Sequence, residues 1–295
     1  MAAPASAHAT ELELVTPALR LAALRWRPGA PRRVLALHGW LDNAASFTGL
    51  APHLADCDLV ALDLTGHGHS DHRPPGVPYH FVDFVPDVLA AADALGWSRF
   101  ALLGHSLGTG IGCFVAAIAP QRIAGLALIE GIGPLSGQPE EEPGRLADSI
   151  RQMAGHGRRP PRRYADLAAA AAARARVGDL SPQAAALLVQ RALQADGDAL
   201  VWRSDPRLRY RSPSYLTEEQ VRAFLARIAC PTLLLTGADA HVAARPGFAE
   251  RCRCVADLTH QVLPGGHHLH LDHPERVAAP LAAFLAGLPA GEQGG

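Results

Sequence analysis

Residues 100 to 110 read Phe-Ala-Leu-Leu-Gly-His-Ser-Leu-Gly-Thr-Gly, a short apolar run that meets a serine flanked by glycines two positions to either side. A small-residue stretch with helical spacing follows at once. A G-x-S-x-G pattern between a strand and a helix allows a very sharp reversal of the chain with the serine at its tip. Side chains two residues from that tip would collide across the turn, so Gly104 and Gly108 are what the geometry demands. The helix that follows aims its first amides at whatever negative charge develops beside the serine. Ser106 is therefore the candidate nucleophile, and the rest of the chain has to supply its partners.

With 295 residues the chain can bury a large core, as one α/β domain or two smaller ones. The formal net charge is −1, and no lysine occurs among the basic residues. That balance excludes nucleic acid and anionic membrane as expected partners. The five cysteines are scattered and odd in number, and Cys252-x-Cys254 lacks the spacing of a zinc knuckle or a redox pair. They read as reduced thiols. No basic-then-apolar leader stands at Met1 to Thr10 and no apolar stretch reaches the ~18 residues of a membrane helix. A soluble, cytoplasmic protein is the expectation.

Glu11 to Arg27 alternates in two short segments about Pro17, the pattern of an edge hairpin. Val34 to Leu37, Leu59 to Leu62, Phe100 to Leu103 and Ile123 to Ile129 are short and almost wholly apolar. Helical patterns separate the later ones: Phe81 to Leu95, and Leu107 to Ala119. Parallel strands buried on both faces read this way. The strand pattern resumes at Pro231 to Leu235, Gly237 to Asp239 and Gln261 to Leu263, and a last helix spans Pro274 to Leu288 before a tail expected to fray. Open α/β sheets carry their sites at the carboxyl ends of the strands. There this chain has His38-Gly39, Asp63, Ser106 and Glu130.

From residue 133 to 227 the composition changes. Helical patterns cover Arg145 to Gly155, an alanine- and arginine-rich Tyr164 to Val177, and Pro182 to Ala195; Trp202 to Arg209 and Ser212 to Tyr215 read as loop, and Thr217 opens a capped helix to Arg227. The domain division that follows is a core of residues 1–132 and 228–295 with a helical cap of 133–227 over the site.

A serine hydroxyl needs a general base within hydrogen-bond reach, and that base needs an orienting group. Pro264-Gly-Gly-His267 supplies the base candidate on a loop that follows an apolar strand. His268, His270 and His273 beside it are expected at the surface, and no carboxylate or cysteine stands at metal-ligand spacing with them.

Over nearly its whole length the chain resembles the α/β-hydrolase superfamily. The resemblance rests on His38-Gly39-Trp40, Asp63-Leu-Thr-Gly-His-Gly-His-Ser70, Gly104-His-Ser-Leu-Gly108, Pro231-Thr-Leu-Leu-Leu and Gly265-Gly-His267, in that order. It is most similar to the serine-hydrolase-like members, through Trp40-Leu-Asp-Asn-Ala-Ala-Ser46 and the run from His267 to Pro274. The resemblance implies a doubly wound, mostly parallel sheet, Ser106 as nucleophile, His267 as base, and an oxyanion hole from the backbone N–H groups of Trp40 and Leu107. For the acid, relatives carry glycine, two residues, then aspartate after the strand ending at Leu235. Here Asp239 comes one residue early and Ala240 occupies the expected position. Asp239 is the first choice, and Glu130, which some members use instead, is its rival. Asp63 is expected to order the glycine-rich turn, His38 to bond backbone in the oxyanion loop, and Asp42 and Asn43 to line the pocket entrance or cap the next helix. The implied activity is hydrolysis of a small-molecule ester or related acyl substrate, with no cofactor and no metal; the alternatives are a non-catalytic small-molecule-binding protein on the same fold, or carbon–carbon bond hydrolase or perhydrolase chemistry with the same residues. Serine at the elbow argues against the dehalogenase and epoxide-hydrolase chemistries, where similar enzymes carry aspartate.

Overall fold

The computed structural model describes residues 8–157, 160–178 and 180–289, so the tail from residue 290 onward lies outside the described residues. The first two strands, β1 (Thr10–Val15) and β2 (Arg20–Trp26), form the expected antiparallel hairpin. Next come β3 (Arg32–Leu37), β4 (Cys57–Leu62), α1 (Phe84–Ala94), β5 (Phe100–His105), α2 (Leu107–Ile118) and β6 (Ile123–Ile129). The sheet is completed by β9 (Thr232–Gly237) and β10 (Leu258–Leu263), in the order β1-β2-β4-β3-β5-β6-β9-β10. From β4 to β10 every neighbouring pair is parallel; β2 runs against both of its neighbours.

The unbroken apolar strands divide their side chains between two cores. Leu35, Leu37, Leu102 and Leu126 face one core with Val88 of α1 and Phe114 of α2. Val34, Ala36, Leu103 and Ala127 face the other with Phe47 and Leu281. The second includes the closing helix α9 (Pro274–Gly287). Strand alternation alone does this, and it explains why these strands carry no polar face.

After β3 the chain crosses to β4 on one side, then returns to β5 on the other side of β3. The crevice at that reversal is where doubly wound sheets bind ligands. The β3 loop and the Ser106 turn both open into it.

Between β6 and β9 lie α3 (Glu142–Ala154), α4 (Leu167–Val177), α5 (Pro182–Ala192), a small antiparallel pair β7 (Leu193–Asp196) and β8 (Ala199–Trp202), and α6 (Glu218–Leu225). The pair corrects two expectations. The helix expected to reach Ala195 stops at Ala192, and part of the expected loop is strand. A two-strand ribbon of four residues each carries too little periodicity to be distinguished from a helix end and a loop. At α6 the Thr217 cap is as expected, with Gln220 returning a bond to the Thr217 amide. Helix α7 (Phe248–Cys254) was not anticipated, and α8 (Leu269–Asp272) is a single turn.

Buried polar contacts fasten this segment to the core. Arg191 of α5 donates through Nε to both oxygens of Asp63, whose other acceptor sites take the Ala44 and His69 amides. Asn43 donates to Leu188 O at 2.9 Å and accepts from the Ala45 amide, so it both ties α5 and caps a short helical turn. Asp63 thus orders its turn as expected and also holds the helix above it.

Candidate active site

Ser106 has φ 50° and ψ −109°, outside the regions comfortable for a residue with a Cβ. Its amide donates to Ile129 O at 3.0 Å, which holds the turn against β6. The glycines are obligatory for packing reasons. A Cβ on Gly104 would lie 2.5 Å from Gly108 O, and one on Gly108 would lie 2.0 Å from Leu37 O. Both obstructions are buried backbone atoms, one in the first turn of α2 and one in β3, so neither can yield cheaply. Gly108→Ala is expected to cost more than ~3 kcal/mol. Urea unfolding of the variant checks this, and a midpoint equal to that of the parent would overturn the packing account.

Strain gathers at this edge. Leu41 (φ 63°) and Glu130 (φ 62°) join Ser106 among the non-glycine residues with positive φ. Glu130 immediately follows β6, its amide donating to Leu235 O. That backbone turns its carboxylate into the sheet edge, where Oε1 accepts from the Gly237 amide at 2.6 Å. Oε2 lies 3.0 Å from His267 Nδ1, and His267 Nε2 lies 3.0 Å from Ser106 Oγ. A hydroxyl, an imidazole and a buried carboxylate stand in hydrogen-bonded line.

Asp239, the first choice for the acid, is not in that line. It is exposed, its amide donates to Gly265 O, and no side-chain bond to His267 is formed among the described residues. Strand order gives the reason. β6 lies between β5 and β9, so a carboxylate at its end stands next to the serine strand. The tight turn after β9 carries Asp239 outward instead.

Trp40 and Leu107 frame the remaining side. Leu107 opens α2, so its amide is among those with no earlier turn to bond. Trp40 follows the β3 strand in a loop that His38 braces, bonding Gly39 O through Nδ1 and accepting the Leu64 amide through Nε2. His38 has the backbone role expected of it. Trp40 Nε1 donates to Leu208 O, a link to the segment above.

Ser106 and His267 open into a cavity of about 1700 Å³. Its walls come from both segments, with Trp40 and Pro75 below and Tyr164, Val177, Trp202 and Tyr210 above. It exceeds the usual ~300–1,000 Å³ of a ligand pocket, so there is room for a long or branched substrate.

The histidines around His267 depart from expectation. His268 is 6 % exposed and His270 is 0 % exposed, whereas His273 is half-buried. His270 bonds Ser46 Oγ at 2.8 Å and packs on Phe47. Asp42, distant in sequence, lies buried against His105 and His268, so a carboxylate does stand beside the histidines at ligand-like spacing. Its other oxygen accepts from Arg174 of α4 at 2.8 Å. Burial raises the Asp42 carboxyl pKa, but the neighbouring His268, 3.6 Å away, with His105 and Arg174, outweighs burial and holds it below the usual carboxylate range.

Burial has a consequence for acid stability. It lowers His67, next to the repelling charge of His38, to about 3, and His270, next to His268, to about 3. The unfolded chain takes up these protons near the ordinary ~6.5, whereas the native chain does not until far lower pH. Stability contributed by the neutral rings is therefore complete above ~6.5 and is lost as pH falls towards 3. At pH 5 the loss is about 2 kcal/mol for each ring. Urea midpoints measured between pH 7 and 5 should fall steadily; a flat profile would refute the buried-neutral assignment.

Residues 32–274 match the family model described as the alpha/beta hydrolase fold. A serine hydrolase-like protein of Danio rerio is 30% identical over 94% of this chain and 88% of its own length. A hypothetical protein of Pseudomonas aeruginosa PAO1, known from its crystal structure, is 40% identical with a TM-score of 0.89, covering 94% of this chain and 99% of that one. The thioesterase domain from the curacin biosynthetic pathway superposes with a TM-score of 0.81 at 26% identity, covering 95% of this chain and 99% of that domain. No helix among the described residues is long and apolar enough to cross a membrane. With its sheet order, its serine turn and a family match over most of its length, the chain belongs to the α/β-hydrolase fold family, among proteins similar to serine hydrolases.

Proposed function

We propose that the protein hydrolyses a small-molecule ester or related acyl substrate through an acyl-serine intermediate, with Ser106 as nucleophile, His267 as base and Glu130 as the acid. The observation that carries this reading is the pair of 3.0 Å contacts that link Ser106 Oγ, His267 and Glu130. His267 Nε2 removes the hydroxyl proton as Oγ attacks the carbonyl carbon, and Nδ1–H donates to Glu130, which fixes the tautomer and stabilises the imidazolium. The Leu107 and Trp40 amides hold the oxyanion; each such donor is worth ~10²–10³ in rate. The imidazolium then protonates the leaving oxygen, and the same nitrogen activates water to release the acid and free Ser106.

In this reading residues 133–227 act as the cap that sets specificity. The tyrosines and Trp202 in the cavity wall favour an apolar acyl or aryl group. The five free cysteines fit a cytoplasmic protein.

A fluorophosphonate probe tests the reading, since it phosphonylates only an activated serine. Mass spectrometry should find the adduct on Ser106, and labelling should be lost in His267→Ala. An unlabelled parent protein would favour a non-catalytic binding protein on the same fold. Turnover of p-nitrophenyl esters of graded chain length would then define the acyl preference.

A further inference from the structure

We propose that Asp42, His105 and His268 form a binding site for one divalent transition-metal ion, zinc being the representative, open to the cavity beside Ser106. The site is distinct from the hydrolytic residues, and the inference does not depend on hydrolysis.

The tautomer of His105 carries the argument. His105 Nε2 lies 2.9 Å from His267 O, and a carbonyl can only accept, so Nε2 bears the hydrogen. In an imidazole whose Nε2 bears the hydrogen, Nδ1 is the acceptor nitrogen. It faces Asp42 Oδ2 at 3.7 Å, and His268 Nε2 lies 3.6 Å from the same oxygen. Asp42 Oδ2 and His105 Nδ1 are buried, and among the described residues neither has a hydrogen-bond partner. Two acceptors facing each other out of water are unfavourable, and a cation between them relieves the conflict.

The space is shaped for an ion. Gly39 flanks it, and a Cβ there would lie 2.8 Å from His105 Nδ1 and 2.9 Å from Asp42 Oδ2. The three donor atoms lie within 4.8 Å of one another. An ion ~2.1 Å from atoms some 3.6 to 3.7 Å apart subtends about 120° between them, near tetrahedral or trigonal geometry, with side-chain shifts of a few tenths of an ångström closing the third arm. Two imidazole nitrogens with one carboxylate oxygen suit zinc and its neighbours rather than calcium or magnesium. Outer support is in place: His105 donates its other nitrogen to a carbonyl, and Arg174 holds Asp42 Oδ1. Gly39, Asp42, His105 and His268 all line the cavity, which gives the ion an entry path and leaves a position open to a water or ligand.

Calorimetric titration of zinc into chelator-stripped full-length protein tests the site. The parent should bind one ion, and Asp42→Asn and His268→Gln should each weaken binding at least ~tenfold. Cys252→Ser/Cys254→Ser should bind as the parent does, which excludes the cysteine pair, and so should Ser106→Ala, whose result is independent of any esterase assay. Absence of stoichiometric binding by the parent, or parental affinity in both ligand variants, overturns the proposal. Zinc-edge absorption of the parent complex stands even if a variant fails to fold: nitrogen and oxygen scatterers at ~2.0–2.1 Å are expected, and a sulfur shell at ~2.3 Å would refute the assignment.

Discussion

Ser106→Ala is expected to lower kcat for a p-nitrophenyl ester by ~10⁴–10⁶ while leaving KM within a few-fold. At 1.36 kcal/mol per decade this is ~5–8 kcal/mol of barrier, more than any other single substitution here should cost. The residue lies on a strained turn whose backbone is held by Ile129 O and by Gly104 and Gly108, so removing one hydroxyl leaves the scaffold in place. Equal unfolding midpoints for parent and variant would show that the loss is chemical. Residual turnover above that of water should persist, because the Leu107 and Trp40 amides remain. Full activity in Ser106→Ala would refute acyl-serine chemistry at this site.

Glu130→Gln should reduce kcat/KM by ~10³–10⁴, and Asp239→Asn by less than about twofold. The amide keeps the volume of the carboxylate and can still accept from Gly237, but towards His267 it has no negative charge to stabilise an imidazolium and can enforce the wrong tautomer. Asp239 is exposed, and the carboxylate bonded to His267 Nδ1 is that of Glu130. Steady-state kinetics on the two variants, with unfolding controls, decide between the carboxylates. A large loss in Asp239→Asn with Glu130→Gln near parental would reverse the assignment.

The contrast between these two acids shows how far a reading by residue spacing reaches. Asp239 and Glu130 both follow apolar strands, and both lie between Ser106 and His267 in the chain. Family habit pointed towards the turn after β9. Nothing local to either residue records that β6 pairs directly with β5, or that φ 62° at Glu130 turns its side chain inward. The same limit applied to His268 and His270. In a stretch so rich in histidine a solvated face is the ordinary expectation, and burial depended on Asp42, Ser46 and Phe47 arriving from the far end of the chain.

By itself, the sequence determined whatever a few consecutive residues decide: the serine turn with its two required glycines, the strands buried on both faces, the Thr217 cap, the antiparallel hairpin at the edge, and the choice of Ser106 and His267 as the pair to look for. Each rests on sterics or periodicity acting within one or two turns of chain. Only the tertiary structure decided which carboxylate meets His267, how Arg191 and Arg174 fasten the helices above the sheet, and that Asp42 joins two histidines in a buried cluster. Those contacts join residues roughly 60 to 230 positions apart, and their geometry follows from strand order and the direction of loops, which side-chain patterning does not encode.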